Sequence, residues 1–413
     1  MSLKSISPFS IQTNQIIMFL FILLFISSIK ALSFKYPTAF TLKNGNIFII
    51  HSLGIDICDS NYTTNKTILK FSDPIYKSGL STISISKYSN GEFIAFIIEN
   101  IYLFNANGEK IFSYKHSYAS GLYYTLSAQK INQENNFYYY LFGYISGAES
   151  DLNLYYCRIN LVNKKIDYLS SLTRYKINVK SQGLSCQFIS NESNDYIMCL
   201  YNYNPKSQNY LYVSIFDFDE TGITLSDHNS FKKLQNTTYI QSAIKSKNSK
   251  PFFCGLLDTG KSYCLAYDYY DFYNENENNN SFISWDRKNE KKCKMKPYNI
   301  KTYYFPETDQ YVFSCLTEDN GVQTTFYKKN MTQMSEIKNR SLSLQTEFTG
   351  CDEFYYSIVY SKINNKFYIL SDIDCEPYKQ FIPIAEGEID IIEESKTEEE
   401  NTKMKKKKLE KKN

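Results

Sequence analysis

Short apolar runs punctuated by Asn, Asp and Gly dominate this chain, and two early stretches repeat that pattern without a gap. Asn44-Gly45-Asn46 leads into Ile47-Phe48-Ile49-Ile50 and then Gly54-Ile55-Asp56-Ile57-Cys58-Asp59. Asn90-Gly91-Glu92 leads into Phe93-Ile94-Ala95-Phe96-Ile97-Ile98 and then Asn100-Ile101-Tyr102-Leu103-Phe104-Asn105. Asn-Gly between strand-like runs predicts a tight type I′ hairpin, which needs positive φ at both central residues. The step from Asn44 to Asn90 matches the roughly 40 to 50 residue period of a propeller blade.

The unit continues down the chain. A third copy has strand-like runs at 125–131, 137–145 and 152–159, and a fourth at 184–189, 196–203, 210–218 and 223–225. A fifth shows 240–245, 252–257 and 262–267, a sixth 300–305, 310–316 and 322–327, and a seventh 355–361 and 366–370 before the pattern degrades around 381–384. No window carries a convincing 3.6-residue period, so little helix is expected. Evenly spaced short strands leave a sandwich, a solenoid or a propeller. Runs such as Phe252-Phe253-Cys254-Gly255-Leu256-Leu257 are apolar on both faces, as in a sheet covered on both sides. The predicted fold is therefore an all-β β-propeller spanning 34–392, with about seven four-stranded blades and six as the alternative. The seventh copy lacks clear third and fourth strands, and Phe34-Lys35-Tyr36 is expected to supply one of them and leave no exposed edge.

Three segments stand apart. Ile16 to Ile26 is an unbroken apolar run, followed by Ala31-Leu32-Ser33, which predicts a signal peptide over 1–33 cut before Phe34. Residues 271–292 include Asn274-Glu275-Asn276-Glu277-Asn278-Asn279-Asn280, read as a low-complexity loop that carries Trp285 as the anchor of its return. Beyond Glu386 the chain turns into an acidic block and then a lysine block, so 393–413 is predicted to be a disordered charged tail.

Composition changes the picture little. A formal charge of +3 on 413 residues offers no concentrated basic face for nucleic acid. The 38 Tyr accompany abundant Lys, Asn, Ile and Phe with few Arg, the style of secreted proteins from AT-rich protists. Tyr abundance is therefore first a codon effect and only second a binding surface. Ten cysteines suit an oxidising compartment. Sequons stand at Asn61, Asn65, Asn191, Asn236, Asn279, Asn330 and Asn339, which would be glycosylation sites in a secreted chain.

The chemistry-bearing candidates read mostly as turns. Asp258-Thr259-Gly260 superficially matches the aspartic-protease loop, but those enzymes need two carboxylates sharing a proton, and no second such triplet exists. A three-residue hairpin with Gly260 in the left-handed region is the better reading. Asp217-Phe218-Asp219-Glu220-Thr221-Gly222 looks like a calcium loop, yet His228 stands where the loop's bidentate Glu belongs. The uncharged Asn105-Ala106-Asn107-Gly108 at the equivalent place in the second copy argues for turn geometry. His51, His116 and His228 have no zinc-ligand spacing and no Gly-x-Ser-x-Gly elbow beside them. No catalytic residue, metal ligand or cofactor site is assigned.

If Asp258-Thr259-Gly260 is a three-residue loop, Cys254 faces Cys264 within disulfide reach. Cys186 and Cys199 flank a similar hairpin and form the second expected pair. Cys58, Cys157, Cys293, Cys315, Cys351 and Cys375 receive no register. The expected function is a secreted or surface-associated non-catalytic binding module presenting a loop face to an extracellular protein or glycan. The alternative is a glycan-active hydrolase with a carboxylate pair in the central channel.

Overall fold

The computed structural model describes residues 38–383 apart from 60–64, 73–82, 98, 117–120, 147–150, 177–182, 191–194, 204–209, 236, 244–251, 267–281, 284–290, 296–299, 306–307, 309, 320, 329–337, 342–353, 362–364 and 374–375. The expected signal peptide, the strand expected at Phe34-Lys35-Tyr36, Trp285, Cys351, Cys375 and the expected charged tail lie outside the described residues.

Among the described residues twenty-seven strands form seven antiparallel sheets, each contiguous in sequence. The first holds β1 (Thr38–Thr41), β2 (Ile47–His51), β3 (Gly54–Cys58) and β4 (Asn65–Lys70). The second holds β5 (Ser84–Lys87), β6 (Phe93–Ile97), β7 (Asn100–Phe104) and β8 (Lys110–Lys115). The third has β9 (Gly121–Asn132), β10 (Phe137–Ser146), β11 (Asp151–Asn160) and β12 (Lys165–Lys176). The fourth has β13 (Leu184–Ser190), β14 (Asp195–Tyr203), β15 (Tyr210–Phe218) and β16 (Ile223–Gln235). The fifth contains β17 (Thr237–Ala243), β18 (Phe252–Leu257), β19 (Ser262–Ala266) and β20 (Phe282–Ile283). The sixth contains β21 (Ile300–Phe305), β22 (Gln310–Leu316), β23 (Gly321–Lys328) and β24 (Lys338–Ser341), and the seventh β25 (Phe354–Ser361), β26 (Lys366–Ile373) and β27 (Glu376–Pro383). In every sheet the spatial order is the chain order, so each is a meander. No helix occurs among the described residues, and none is long and apolar enough to cross a membrane.

The apolar side chains divide into clusters that each join two sheets. Phe40, Phe48, Phe93 and Phe104 join the first and second; Ile94, Phe96, Tyr140 and Phe142 the second and third; Leu141, Tyr156, Ile197 and Phe216 the third and fourth. Met198, Leu200, Phe253 and Tyr263 join the fourth and fifth; Phe252, Leu256, Tyr311 and Phe313 the fifth and sixth; Val312, Phe326, Ile358 and Phe367 the sixth and seventh. The last cluster decides the architecture, because Ala39, Ile47 and Ile49 of the first sheet pack on Val359 and Leu370 of the seventh. An open stack would leave those two faces bare; here they cover each other, and the fold is a closed β-propeller. Middle strands such as β2 and β6 are buried along their whole length, which explains their unbroken apolar runs.

Hydroxyls tie the first strands together. A first strand has one edge with no partner within its own sheet, so its backbone groups need partners from elsewhere. Ser86 Oγ accepts from Ala128 N–H of the next sheet (2.8 Å), and Ser127 Oγ accepts from Phe188 N–H (3.1 Å). Thr125 Oγ1 donates to Cys186 C=O (3.1 Å) and accepts from Cys186 N–H (2.9 Å). The same two-way bond closes the ring: Thr41 Oγ1 donates to Tyr360 C=O (2.8 Å) and accepts from Tyr360 N–H (3.0 Å). Ser357 Oγ adds an acceptor for Ala39 N–H at 3.0 Å.

The Asn-Gly turns differ from the expected type I′. Gly45 and Gly91 have φ of 88° and 93°, while Asn44 and Asn90 are not in the left-handed region. Leu42 N–H donates to Asn46 C=O and Gly45 N–H to Leu42 C=O, the pattern of a three-residue loop with a type I turn and one left-handed glycine. Tyr88 to Glu92, Asn105 to Glu109 and Leu257 to Lys261 repeat it, so Asp258-Thr259-Gly260 is this same turn. The repeat seen in the sequence is thus one loop geometry reused.

The low-complexity stretch also departs from expectation. Phe282 and Ile283, inside the predicted loop, pair with Leu265 and Cys264 as the outer strand of the fifth sheet. Lys291 and Lys292 belong to a docked return: Cys293 N–H donates to Gly260 C=O (2.7 Å), and Glu318 N–H donates to Lys292 C=O (2.9 Å).

Candidate functional site

The junction of the third and fourth sheets brings together the aromatic and titratable groups with the most evident binding chemistry. Antiparallel register puts directly opposed residues on one face of a sheet. In the fourth sheet, Cys186 faces Cys199, Cys199 faces Ser214 and Ser214 faces His228, a row crossing all four strands. The neighbouring row carries Tyr201 opposite Tyr212. Tyr201, Cys186 and Cys199 belong to the cluster shared with the third sheet, which contributes Tyr175 from the end of β12.

These side chains form one network. Ser214 Oγ lies 2.9 Å from His228 Nδ1 and 2.9 Å from Tyr201 Oη, and Tyr201 Oη lies 3.2 Å from the same nitrogen. Burial pushes the Tyr201 phenol up, so it stays protonated as a donor. Burial also holds His228 below its ordinary value, only partly offset by Asp227, so the ring is neutral near pH 7. A neutral imidazole that accepts at Nδ1 carries its hydrogen on Nε2. The Tyr212 and His228 rings stack with centroids 5.1 Å apart at 13°, and Tyr175 meets His228 edge-on at 6.1 Å. Tyr201 and Ser214 are fully buried, Tyr175 and Tyr212 are half-buried, and His228 is exposed. The result is a stack of near-parallel rings with Tyr175 edge-on beside it, held by buried hydroxyls. The Ser214–His228 contact resembles a nucleophile–base pair, but Ser214 has no exposed surface for a substrate to reach.

The other histidines sit elsewhere. His51 ends β2 and pairs Nε2 with Asp56 Oδ2 at 3.2 Å, both side chains nearly buried. His116 follows β8 and is enclosed by Phe96, Phe142, Tyr155 and Tyr168, where burial pushes it down to about 4. Asp219 Oδ1 accepts from Thr221 N–H, Thr221 Oγ1–H and Gly222 N–H, so this carboxylate serves its own turn. Asn105 Oδ1 does the same for Asn107 and Glu109 N–H. Among the described residues no group of three or more His, Cys, Asp or Glu is placed to hold a metal ion.

Cys254 is joined to Cys264 and Cys186 to Cys199, each with Cα atoms 4.1 Å apart. Cys293–Cys315 is a third bridge, which staples the return of the long insertion to β22. Cys157 is a buried thiol whose pKa burial raises. Of the sequons, Asn65 opens β4 and Asn339 lies in β24, both outermost strands. Asn61, Asn191, Asn236, Asn279 and Asn330 lie outside the described residues.

No protein-family model matches the chain, and no curated protein matches it in sequence. Its structure is similar to Sqt1 of Saccharomyces cerevisiae, at 8% identity over 85% of this chain and 86% of that one, with TM-score 0.42. It is similar to the Aleuria aurantia lectin, a six-bladed β-propeller with fucose recognition, at 10% identity over 75% and 99%, with TM-score 0.40. It is also similar to the GH93 α-L-arabinofuranosidase of Fusarium graminearum, at 10% identity over 70% and 87%, with TM-score 0.41. At these scores the similarities carry no ligand and no activity over to this chain.

Proposed function

We propose that this chain is a secreted, non-catalytic binding module in which each sheet is one blade of a seven-bladed propeller, and that it binds a glycan at the junction of the third and fourth blades. The observation behind this reading is the half-buried Tyr175 and Tyr212 beside the exposed edge of His228. A sugar ring has an apolar C–H face that stacks on aromatic rings and hydroxyls that accept from a neutral His N–H. The buried Tyr201–Ser214 pair holds the imidazole, so little side-chain entropy remains to be lost on binding. Three disulfides fit folding in an oxidising compartment, and cleavage before Phe34 with glycosylation at the sequons belongs to the same proposal.

The test is binding of the purified chain to a panel of immobilised glycans, with Tyr212→Ala and Tyr175→Ala beside the wild type. Saturable binding lost in either variant supports this site. Binding unchanged in both, or none to any glycan, refutes it. Hydrolysis of chromogenic glycosides by the wild type would replace this reading with a glycan-active one.

A further inference from the structure

Among the described residues, the junction of the sixth and seventh sheets holds a cation with no carboxylate beside it. In the sixth sheet Lys301 faces Ser314, and Ser314 faces Thr324, so the three share one face. That face looks at the seventh sheet, because Ser314 Oγ lies 3.1 Å from Tyr356 Oη. Tyr303, next but one to Lys301 on the same strand, likewise reaches across, its Oη accepting from Ile358 N–H at 3.1 Å.

Three features make this row a site. Thr324 is fully buried, and its Oγ1 has no hydrogen-bond partner, a cost that a bound acceptor would remove. Lys301, on the first strand and therefore on the axis side, has no carboxylate partner among the described residues, and burial alone is what displaces it, down to about 8. Ser314 and Tyr356 add hydroxyls, and no carboxylate or amide side chain stands in the row. The ammonium only donates and each hydroxyl can turn its hydrogen toward a ligand, so an acceptor-rich group can be met by every polar side chain in the row.

We propose that Lys301, Thr324, Ser314 and Tyr356 form a binding site for a small oxyanion, a carboxylate or a phosphate, at the junction of the sixth and seventh sheets. The ammonium supplies the charge and the hydroxyls fix the orientation. The site is separate from the aromatic cluster and stands whether or not that cluster binds a glycan.

The experiment titrates the full secreted chain with inorganic phosphate in one arm and acetate in the other, at constant ionic strength, by calorimetry. The expected result is saturable one-to-one binding in at least one arm, and the arm that binds identifies the anion's source. Lys301→Met should weaken binding at least tenfold while leaving the fold intact, since Lys301 is only half-buried and methionine keeps the apolar stem. Thr324→Val, which keeps the shape, should weaken it several-fold. Absence of saturable binding in both arms overturns the proposal from the wild type alone. So does binding that survives undiminished in Lys301→Met, or in Thr324→Val where the methionine variant does not fold.

Discussion

Acidification should destabilise this fold through His116. The imidazole is 1% exposed, enclosed by Phe96, Phe142, Tyr155 and Tyr168, with Phe142 nearest at 4.3 Å between ring centroids. Burial lowers its pKa from 6.5 to about 4. Above the unfolded value neither state binds the proton, and stability is full. Between the two values the unfolded chain takes the proton and the folded chain refuses it, so stability falls as pH falls. The loss levels off at about 3 kcal/mol below the folded value, and going from about pH 7.5 to about pH 5 costs about 2 kcal/mol. Urea denaturation followed by circular dichroism at both pH values measures this. His116→Phe keeps an aromatic ring in the cage and removes the titration, so its pH dependence should be flatter than wild type by that amount. Equal slopes for the two proteins would refute the assignment to His116.

Thr41→Val removes the two-way bond to Tyr360 while keeping shape, and should cost about 2–4 kcal/mol because a buried N–H and C=O lose their partner. Thr125→Val makes the same change between adjacent sheets and should cost a similar amount in urea unfolding; a near-neutral Thr41→Val beside a costly Thr125→Val would mean that the chain ends do not meet. Gly108→Ala should lower stability by about 1–3 kcal/mol, since φ is +85° and a Cβ there would lie 2.6 Å from Ile57 Cδ1; an unchanged melting temperature would contradict the docking of this turn on the first sheet. Non-reducing peptide mapping should recover Cys186–Cys199, Cys254–Cys264 and Cys293–Cys315, and any other partner for Cys254 would show the β18–β19 register to be wrong.

How much of this was legible depends on where a strand sits. The second and third strands of a sheet are covered on both faces, so Phe93 to Ile97 reads as strand at sight. Outermost strands keep one face in water, and β8 is exposed at every position but one, so Lys110 to Lys115 shows no apolar run. For the same reason β4 and β12 were missed, and the two-residue β20 is too short to stand out from the Asn- and Glu-rich stretch around it. Ring closure rests on contacts between residues such as Ala39 and Ser357, for which one sequence carries no local signal. The cysteine register was readable because a three-residue loop fixes what faces what. The aromatic cluster was not: Tyr175 comes from one sheet and Tyr201, Tyr212 and His228 from the next. In a chain with 38 tyrosines no single one draws notice.

Closure of the ring is what makes this fold a propeller, and pulsed electron paramagnetic resonance tests it most directly. Spin labels carried on noncanonical residues leave the disulfides intact. Lys43 lies in the first turn of the first sheet, Glu134 in the same turn of the third, and Lys366 opens the second strand of the seventh; all three are exposed. In a closed ring the first and seventh sheets are neighbours, while the first and third have a sheet between them. The account predicts a Lys43–Lys366 distance shorter than Lys43–Glu134. A Lys43–Lys366 distance longer than Lys43–Glu134 would contradict it.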